Sequence, residues 1–159
     1  MSETSRDLQD HLVALIRGFG LHNPDVTPCG VPMSVSEAHT LMELADREDR
    51  TQRELAVALQ LEKSTVSRLV SNLEGKGWLV RRSSPSDGRS VLLCLTNKGQ
   101  RLAAKLAAAR AAKFAQVATA IPEDELKAVL RALEVVVRAM SSAKSDNSAI
   151  QKNEEYENR

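Results

Sequence analysis

The sequence has few aromatic residues and no long apolar run, and each shortage excludes a class of protein. Aromatic residues make up 3% of its 159 residues, while Ala, Leu, Glu, Lys and Arg dominate, which favours helices over a large sheet. No apolar run approaches the roughly 20 residues that span a bilayer, and the first ten residues are too polar for a signal peptide. We therefore expect a cytoplasmic, mainly α-helical protein without a membrane partner.

Cysteine is also scarce, and the sequence has no metal-binding or catalytic motif. Cys29 and Cys94 are too few for a disulfide scaffold and are expected to be free thiols. Cys29 has no adjacent cation to activate it, so redox sensing is the lesser alternative. His11, His22, His39 and Cys29 lack the spacing of a zinc site. Without a nucleophile elbow, a phosphate-cradling glycine loop or clustered carboxylates, the sequence predicts neither an enzyme nor a bound cofactor or metal.

The formal net charge of +1 conceals an uneven distribution along the chain. Residues 1–49 contain three basic and nine acidic residues, net −6, whereas residues 50–101 contain ten and four, net +6. Residues 102–159 are nearly balanced, with nine and eight. A concentrated basic segment is typical of a protein that binds a polyanion.

The central part of this basic segment predicts a helix with two different faces. Apolar residues at steps of three and four form its buried face: Val66, Leu69, Val70 and Leu73. The opposite face carries side chains that are small or form hydrogen bonds, as a helix lying against base edges requires: Ser64, Ser67, Arg68, Ser71 and Asn72. Gly75 and Gly77 are expected to end the helix, because glycine accepts the left-handed conformation that closes many helices.

A hairpin is predicted directly after this helix. Residues 78–82 and 90–95 are two short apolar or β-branched runs, and Pro85 and the Asp87-Gly88 pair favour a turn between them. Helix, glycine stop and basic-tipped hairpin together predict a winged helix-turn-helix.

The remaining chain predicts five further helices. An apolar stripe places the first at about residues 6–20. Capping boxes formed by Ser34 with Glu37 and by Thr51 with Glu54 begin the second helix and a short third helix over residues 52–58. Thr96 is expected to cap a long helix to about residue 118, and Pro122 opens the last helix.

The last helix carries an apolar heptad seam of about two heptads: Leu126, Val129, Leu133, Val136 and Met140. A seam this short is marginal alone, so we expect one wall of a helical bundle between subunits that also uses the first helix. The alternative is that the seam packs on its own domain. The polar sequence after Ser141 is expected to be mobile or a short surface helix.

Residues 6–142 resemble the MarR family of bacterial transcription regulators. The resemblance is carried by TQRELAVALQLEKSTVSRLVSNLEGKGWLVRR and by the wing signature DGRSVLLCLTNKG. It implies a homodimer whose two winged modules bind a pseudo-palindromic operator in double-stranded DNA, usually repressing its own gene or a neighbour. The chain then divides into an N-terminal dimerisation helix and loop (1–33), the DNA-binding module (34–100), C-terminal dimerisation helices (101–145) and a polar tail (146–159).

The residues expected to touch DNA fall into four groups. In the major groove, base edges or phosphates are met by Ser64, Thr65, Ser67 and Arg68, with Ser71 and Asn72 farther along the same face. A phosphate could bind at the start of the third helix, where the alternative is ordinary capping, through Thr51, Gln52 and Arg53. Arg89, oriented by Asp87, is expected in the minor groove, the alternative being an exposed salt bridge. General attraction to the backbone is expected from Lys63, Lys76, Arg81 and Arg82.

Regulation by a small-molecule effector is expected from the family resemblance. Family resemblance implies release from DNA when a small ligand fills a cleft, which could be lined by Phe19, His22, His39 and Met42. The alternative is that Phe19 and Met42 belong to the core while both histidines are exposed. A winged helix can also serve as a protein-interaction module, but such a module needs no basic face.

Overall fold

The computed structural model of the chain describes residues 2–84 and 90–157, with side chains as far as residue 143. Its helices are α1 (Glu3–Phe19), α2 (Val35–Asp46), α3 (Gln52–Leu59), α4 (Lys63–Gly75), α5 (Asn97–Ala120) and α6 (Glu123–Glu157). Its strands are β1 (Arg50–Thr51), β2 (Leu79–Ser83) and β3 (Val91–Leu95). Two compact units are formed, Met1–Phe114 and Ala115–Arg159. No described helix is long and apolar enough to cross a membrane.

The sheet is antiparallel in the order β1-β3-β2. β2 and β3 pair from Leu79 opposite Leu95 to Ser83 opposite Val91, as the predicted hairpin requires. β1 adds a third strand by pairing Arg50 with Leu93. Sequence analysis missed β1 because two residues are too few to show alternation. The mainly α-helical fold with a small β-hairpin wing is confirmed.

Two apolar clusters hold the first unit together. Beneath α4, the side chains of Val66, Val70 and Leu73 are completely buried against α3 and the sheet, as their spacing predicted. Leu69 is only half-buried at the margin of this cluster. The second cluster joins the loop before α2, α2 itself and α5. α2 contributes to both clusters and therefore connects the winged module to α5.

Both predicted capping boxes are present. The Ser34 side chain accepts from the Glu37 N–H at 3.2 Å, while a Glu37 oxygen accepts from the Ser34 N–H at 3.0 Å. Thr51 and Glu54 form the same reciprocal pair at the start of α3. Glu62 precedes α4 without a side-chain capping bond. These contacts begin α2 and α3 at the positions that the sequence predicted.

The end of α4 differs from the prediction in one residue. Gly75 is still helical, and only Gly77, with a φ of 69°, adopts the left-handed conformation. The turn at Gly77 lets the Trp78 N–H reach back to the Leu73 carbonyl at 3.0 Å, a bond that closes the helix and begins β2.

The first and last helices are longer than predicted. α1 begins at Glu3, where the side chain of Ser2 caps it. α6 continues through most of the polar tail to Glu157 instead of ending near Ser141. Residues 123–157 contain no proline or glycine, so nothing in the local sequence forces the helix to stop.

Candidate nucleic-acid interface and adjacent cavity

The exposed face of α4 presents the predicted contact residues in its first two turns. Ser64, Thr65 and Arg68 are exposed, and Ser67 is half-buried. Arg68 Nε lies 3.5 Å from the Ser64 carbonyl, at the outer limit of a hydrogen bond. Among the described residues no acidic side chain pairs with Arg68, so its guanidinium can donate to an external acceptor.

Asn72 and Lys76 lie farther along α4 and have a partner inside the protein. Asn72 Nδ2 donates to Glu37 Oε1 at 2.7 Å, and Lys76 Nζ forms an ion pair with the same oxygen. The Lys76 ammonium also lies 4.8 Å from the centre of the Trp78 ring. These two predicted DNA contacts are thus joined to a carboxylate of α2.

The start of α3 has the geometry of ordinary capping. The Thr51 hydroxyl donates to Glu54 at 2.9 Å, and the Thr51 N–H donates to the same carboxylate at 2.8 Å. These bonds lower the pKa of Glu54 below its ordinary value. The Thr51 side chain is therefore occupied, whereas Arg53 is exposed and Gln52 half-exposed.

The remaining predicted cations are spread over α4 and the wing. Lys63 and Arg82 are exposed. Arg81 forms an ion pair with Glu74 at 3.2 Å, and its guanidinium lies 3.5 Å from the Ser71 hydroxyl. The predicted wing-tip pair, Asp87 and Arg89, lies outside the described residues.

A cavity of about 110 Å³ is lined by residues of α1, α2, α5 and the loop before α2. Three of the four predicted ligand residues line it, namely Phe19, His39 and Met42, whereas His22 does not. The Phe19 and Phe114 rings pack together with centres 5.5 Å apart and planes tilted by 43°. The walls of the cavity are mainly apolar, which suits a small apolar or aromatic molecule.

Sequence analysis missed the cations of this cavity. Arg110 and Lys113 of α5 line it, and Arg110 Nη1 donates to the Met42 sulfur at 3.2 Å. The Arg110 guanidinium also lies 5.9 Å from the centre of the Phe114 ring. The available signal was the four-residue spacing from Arg110 to Phe114, which places them on one helix face.

The two thiols have different surroundings. The Cys29 sulfur lies 3.1 Å from the Thr27 hydroxyl at the cavity wall. Cys94 donates to Asp49 at 3.1 Å, and burial together with that bond raises the pKa of the Cys94 thiol. A raised pKa leaves less of the reactive thiolate. Within the described part of the chain, no three His, Cys, Asp or Glu side chains are grouped as metal ligands.

Residues 31–90 match the model of the MarR family. A putative transcriptional regulatory protein for the hcr operon of Thauera aromatica is 35% identical over 66 residues, which are 42% of this chain and 40% of that relative. This chain therefore spans less than half of that relative's length.

Solved structures with the same fold include the S. aureus MepR–DNA complex, with 26% identity, a TM-score of 0.61, and coverage of 67% of this chain and 80% of that chain. The PcaV transcriptional regulator of Streptomyces coelicolor, in complex with its natural ligand, has 25% identity, a TM-score of 0.60, and coverage of 86% and 91%.

Proposed function

We propose that this chain, whose residues 31–90 match the model of the MarR family, is a sequence-specific DNA-binding transcriptional regulator of that family. The observation that carries the proposal is the exposed polar face of α4 above a fully buried apolar stripe. Burial of Val66, Val70 and Leu73 fixes which face is outward, and that face offers hydroxyl groups and Arg68, which has no acidic partner among the described residues. The net charge of +6 over residues 50–101 supplies the attraction to phosphates. MepR, which shares the fold, is known in complex with DNA.

We infer that the regulator is a homodimer, with residues 1–33 and 101–145 providing the subunit interface. α6 exposes large apolar side chains on one stripe, including Leu130 at 53%, Leu133 at 44% and Val137 at 61%. α1 likewise exposes Leu8 and Leu15. Apolar surface of this kind marks an interaction site. Two reading helices related by a dyad would meet successive major grooves about 10 bp apart, on a pseudo-palindromic operator.

A small-molecule effector fits the cavity beside α2. Its apolar walls would hold an aromatic or aliphatic body, and Arg110 and Lys113 favour an anionic group on the same molecule. PcaV is known in complex with its natural ligand. We propose that such a ligand releases the protein from DNA and relieves repression of its own or a neighbouring gene.

The proposal is tested by selecting operator sequences from a random duplex pool with the native protein. Arg68→Ala should then weaken binding to the selected operator by about 1–3 kcal/mol and relax the preference at one base position, because it removes a bidentate contact. Fluorescence anisotropy at fixed salt measures both effects. Arg131→Ala removes an exposed arginine of α6 and serves as the control, with affinity unchanged.

One outcome would contradict this function, and another would contradict the role of Arg68. If no common motif emerges from the pool, sequence-specific binding is wrong, and a protein-interaction module becomes the better explanation. If Arg68→Ala weakens binding to every duplex equally, Arg68 contacts phosphate and reads no base.

We expect operator affinity to be insensitive to oxidation. The Cys29 sulfur lies 3.1 Å from a neutral hydroxyl, and burial and the bond to Asp49 raise the pKa of the Cys94 thiol, so we expect neither to act as a redox sensor. Treatment with mild peroxide should change the affinity of the native protein and of Cys29→Ser by less than about twofold. Release of the native protein alone would replace the ligand hypothesis by the redox one.

A further inference from the structure

Glu37 is the one ionisable side chain that is buried among the described residues, at 5% exposure. Its Oε2 atom accepts from the Ser34 N–H and completes the cap of α2. Its Oε1 atom faces α4 and accepts from Asn72 at 2.7 Å and from the Lys76 ammonium. One carboxylate therefore joins the start of α2 to the last two turns of α4.

Lys76, the partner of Glu37, is itself held by further contacts. The Lys76 ammonium lies between Glu37 and the Trp78 ring, and Lys98 Nζ donates to the Lys76 carbonyl at 2.9 Å. Lys76 is the residue that ends α4, where a cation is favoured by the helix dipole. α2, the end of α4, the turn before β2 and α5 thus meet at Lys76.

The hydrogen bonds to Glu37 restrict the rotation of α4, which apolar packing does only weakly. Val66, Val70 and Leu73 bury α4, but apolar burial has no preferred direction and resists sliding or rotation of a helix only through shape. Asn72 and Lys76 are four residues apart on one face of α4 and bond to the same atom of α2. Two such bonds specify the rotation of α4 about its own axis, and hence the direction of Arg68.

We propose that Glu37 is a positioning residue for DNA reading, which orients α4 through Asn72 and Lys76. These two side chains then act on DNA through the orientation of the helix and not by touching it. The inference rests on the proposed function, in which α4 reads the operator. In this inference α2, whose residues also line the cavity, sets the angle of the reading helix α4.

The decisive variant is Glu37→Gln, since glutamine can retain the cap of α2 while losing the charge. Loss of positioning should lower affinity for the selected operator roughly tenfold, the size of one lost charged hydrogen bond, and leave affinity for unrelated duplex unchanged. If Lys76 instead contacts phosphate, Glu37→Gln would release its ammonium and raise affinity for both duplexes. The two explanations thus predict opposite signs.

Lys76→Met provides the second arm, with Lys63→Met as its matched control on the same helix. Lys76→Met should reproduce the loss on the operator without changing the salt dependence, and adding Glu37→Gln should weaken binding no further, because the two groups act as one pair. Lys63→Met should lower affinity for both duplexes and reduce the salt slope by about one if Lys63 contacts a phosphate. A reduced salt slope for Lys76→Met would overturn the inference.

A measurement without DNA tests the same contact through its pH dependence. Burial raises the pKa of Glu37, but the hydrogen bonds from Lys76 and Ser34 and the Lys76 charge outweigh it, so the pKa lies below its ordinary value of 4.5. Lys76 is the charged group that faces Glu37 in the described structure. Stability from the pair is therefore present above pH 4.5 and lost as the pH falls through the lower, folded-state pKa. The difference in melting temperature between native protein and Glu37→Gln should shrink over that range.

The outcomes separate the inference from the function on which it rests. A native protein that selects no operator overturns the proposed function and this role with it, whatever the melting curves show. Operator selection by the native protein, with equal affinity in Glu37→Gln and Lys76→Met, overturns the positioning role alone. A melting difference that does not vary with pH would show that the Glu37–Lys76 ion pair does not form.

Discussion

Gly99→Ala should destabilise the protein by about 3 kcal/mol, the largest effect expected from adding one methyl group to the described chain. Gly99 is buried in the first turn of α5, and a Cβ atom there would lie 1.9 Å from the Trp78 carbonyl oxygen and 3.3 Å from a Leu95 side-chain carbon. The obstacle is backbone, held in place by the hydrogen bond from the Thr96 N–H to the Trp78 carbonyl at 3.1 Å. Urea or thermal unfolding followed by circular dichroism measures the loss.

The matched control is Gly18→Ala in α1. A Cβ atom at Gly18 meets nothing within 4 Å, and alanine has the higher helix propensity. This variant should stabilise the protein by about 0.5–1 kcal/mol or leave it unchanged. If both substitutions destabilise the protein equally, the contact with Trp78 is not the cause. If Gly99→Ala is as stable as the native protein, the backbone at Trp78 can move away from α5 at little cost.

Leu133→Glu should convert the proposed dimer to a monomer and weaken operator binding by a factor of about 100 or more, since the two reading helices would no longer bind as one unit. Leu133 is 44% exposed in the isolated chain, so the new charge should not disturb the fold of the subunit. In a dimer that covers the apolar stripe of α6, however, the same charge would be buried without a partner. Light scattering at micromolar concentration and anisotropy with the selected operator measure the two effects.

Arg131→Glu introduces the same side chain on the polar side of α6. Because Arg131 is exposed and, two residues from Leu133, does not share its helix face, this variant should remain dimeric and bind the operator as the native protein does. If Leu133→Glu is also dimeric, α6 does not form the subunit interface. If the native protein is a monomer at these concentrations, the dimer proposal itself is wrong.

The helices of the winged module could be predicted because their signals are local. Val66, Val70 and Leu73 reveal the buried face of α4 by their spacing alone, and each capping box lies within four residues. Such contacts form within one element, so the residues that make them are close in sequence whatever the rest of the chain does. The small strand β1 had no such local signal, because it forms by pairing with the edge of β3 that β2 leaves open.

The roles of residues whose partners are distant in sequence could be recognised only from the three-dimensional structure. Sequence analysis recognised Glu37 as a cap of α2 but not as the partner of Asn72 and Lys76, which lie 35 and 39 residues farther along the chain. It assigned Asn72 to DNA because Asn72 lies on the exposed face of a helix, and Lys76 because its charge attracts the phosphate backbone. Periodicity identifies a face, but it does not identify what the neighbouring helix places against that face.

The sequence by itself thus determined the fold class, the buried face of α4 and the capping of α2 and α3, because helix periodicity and capping chemistry act over a few residues. Only the tertiary structure decided that Glu37 joins α2 to α4, that Arg110 and Lys113 line the cavity beside Phe19, and that Gly99 must lack a side chain. Each of these depends on atoms from separate elements, whose distances are set by how the two apolar clusters pack α2 between α4 and α5.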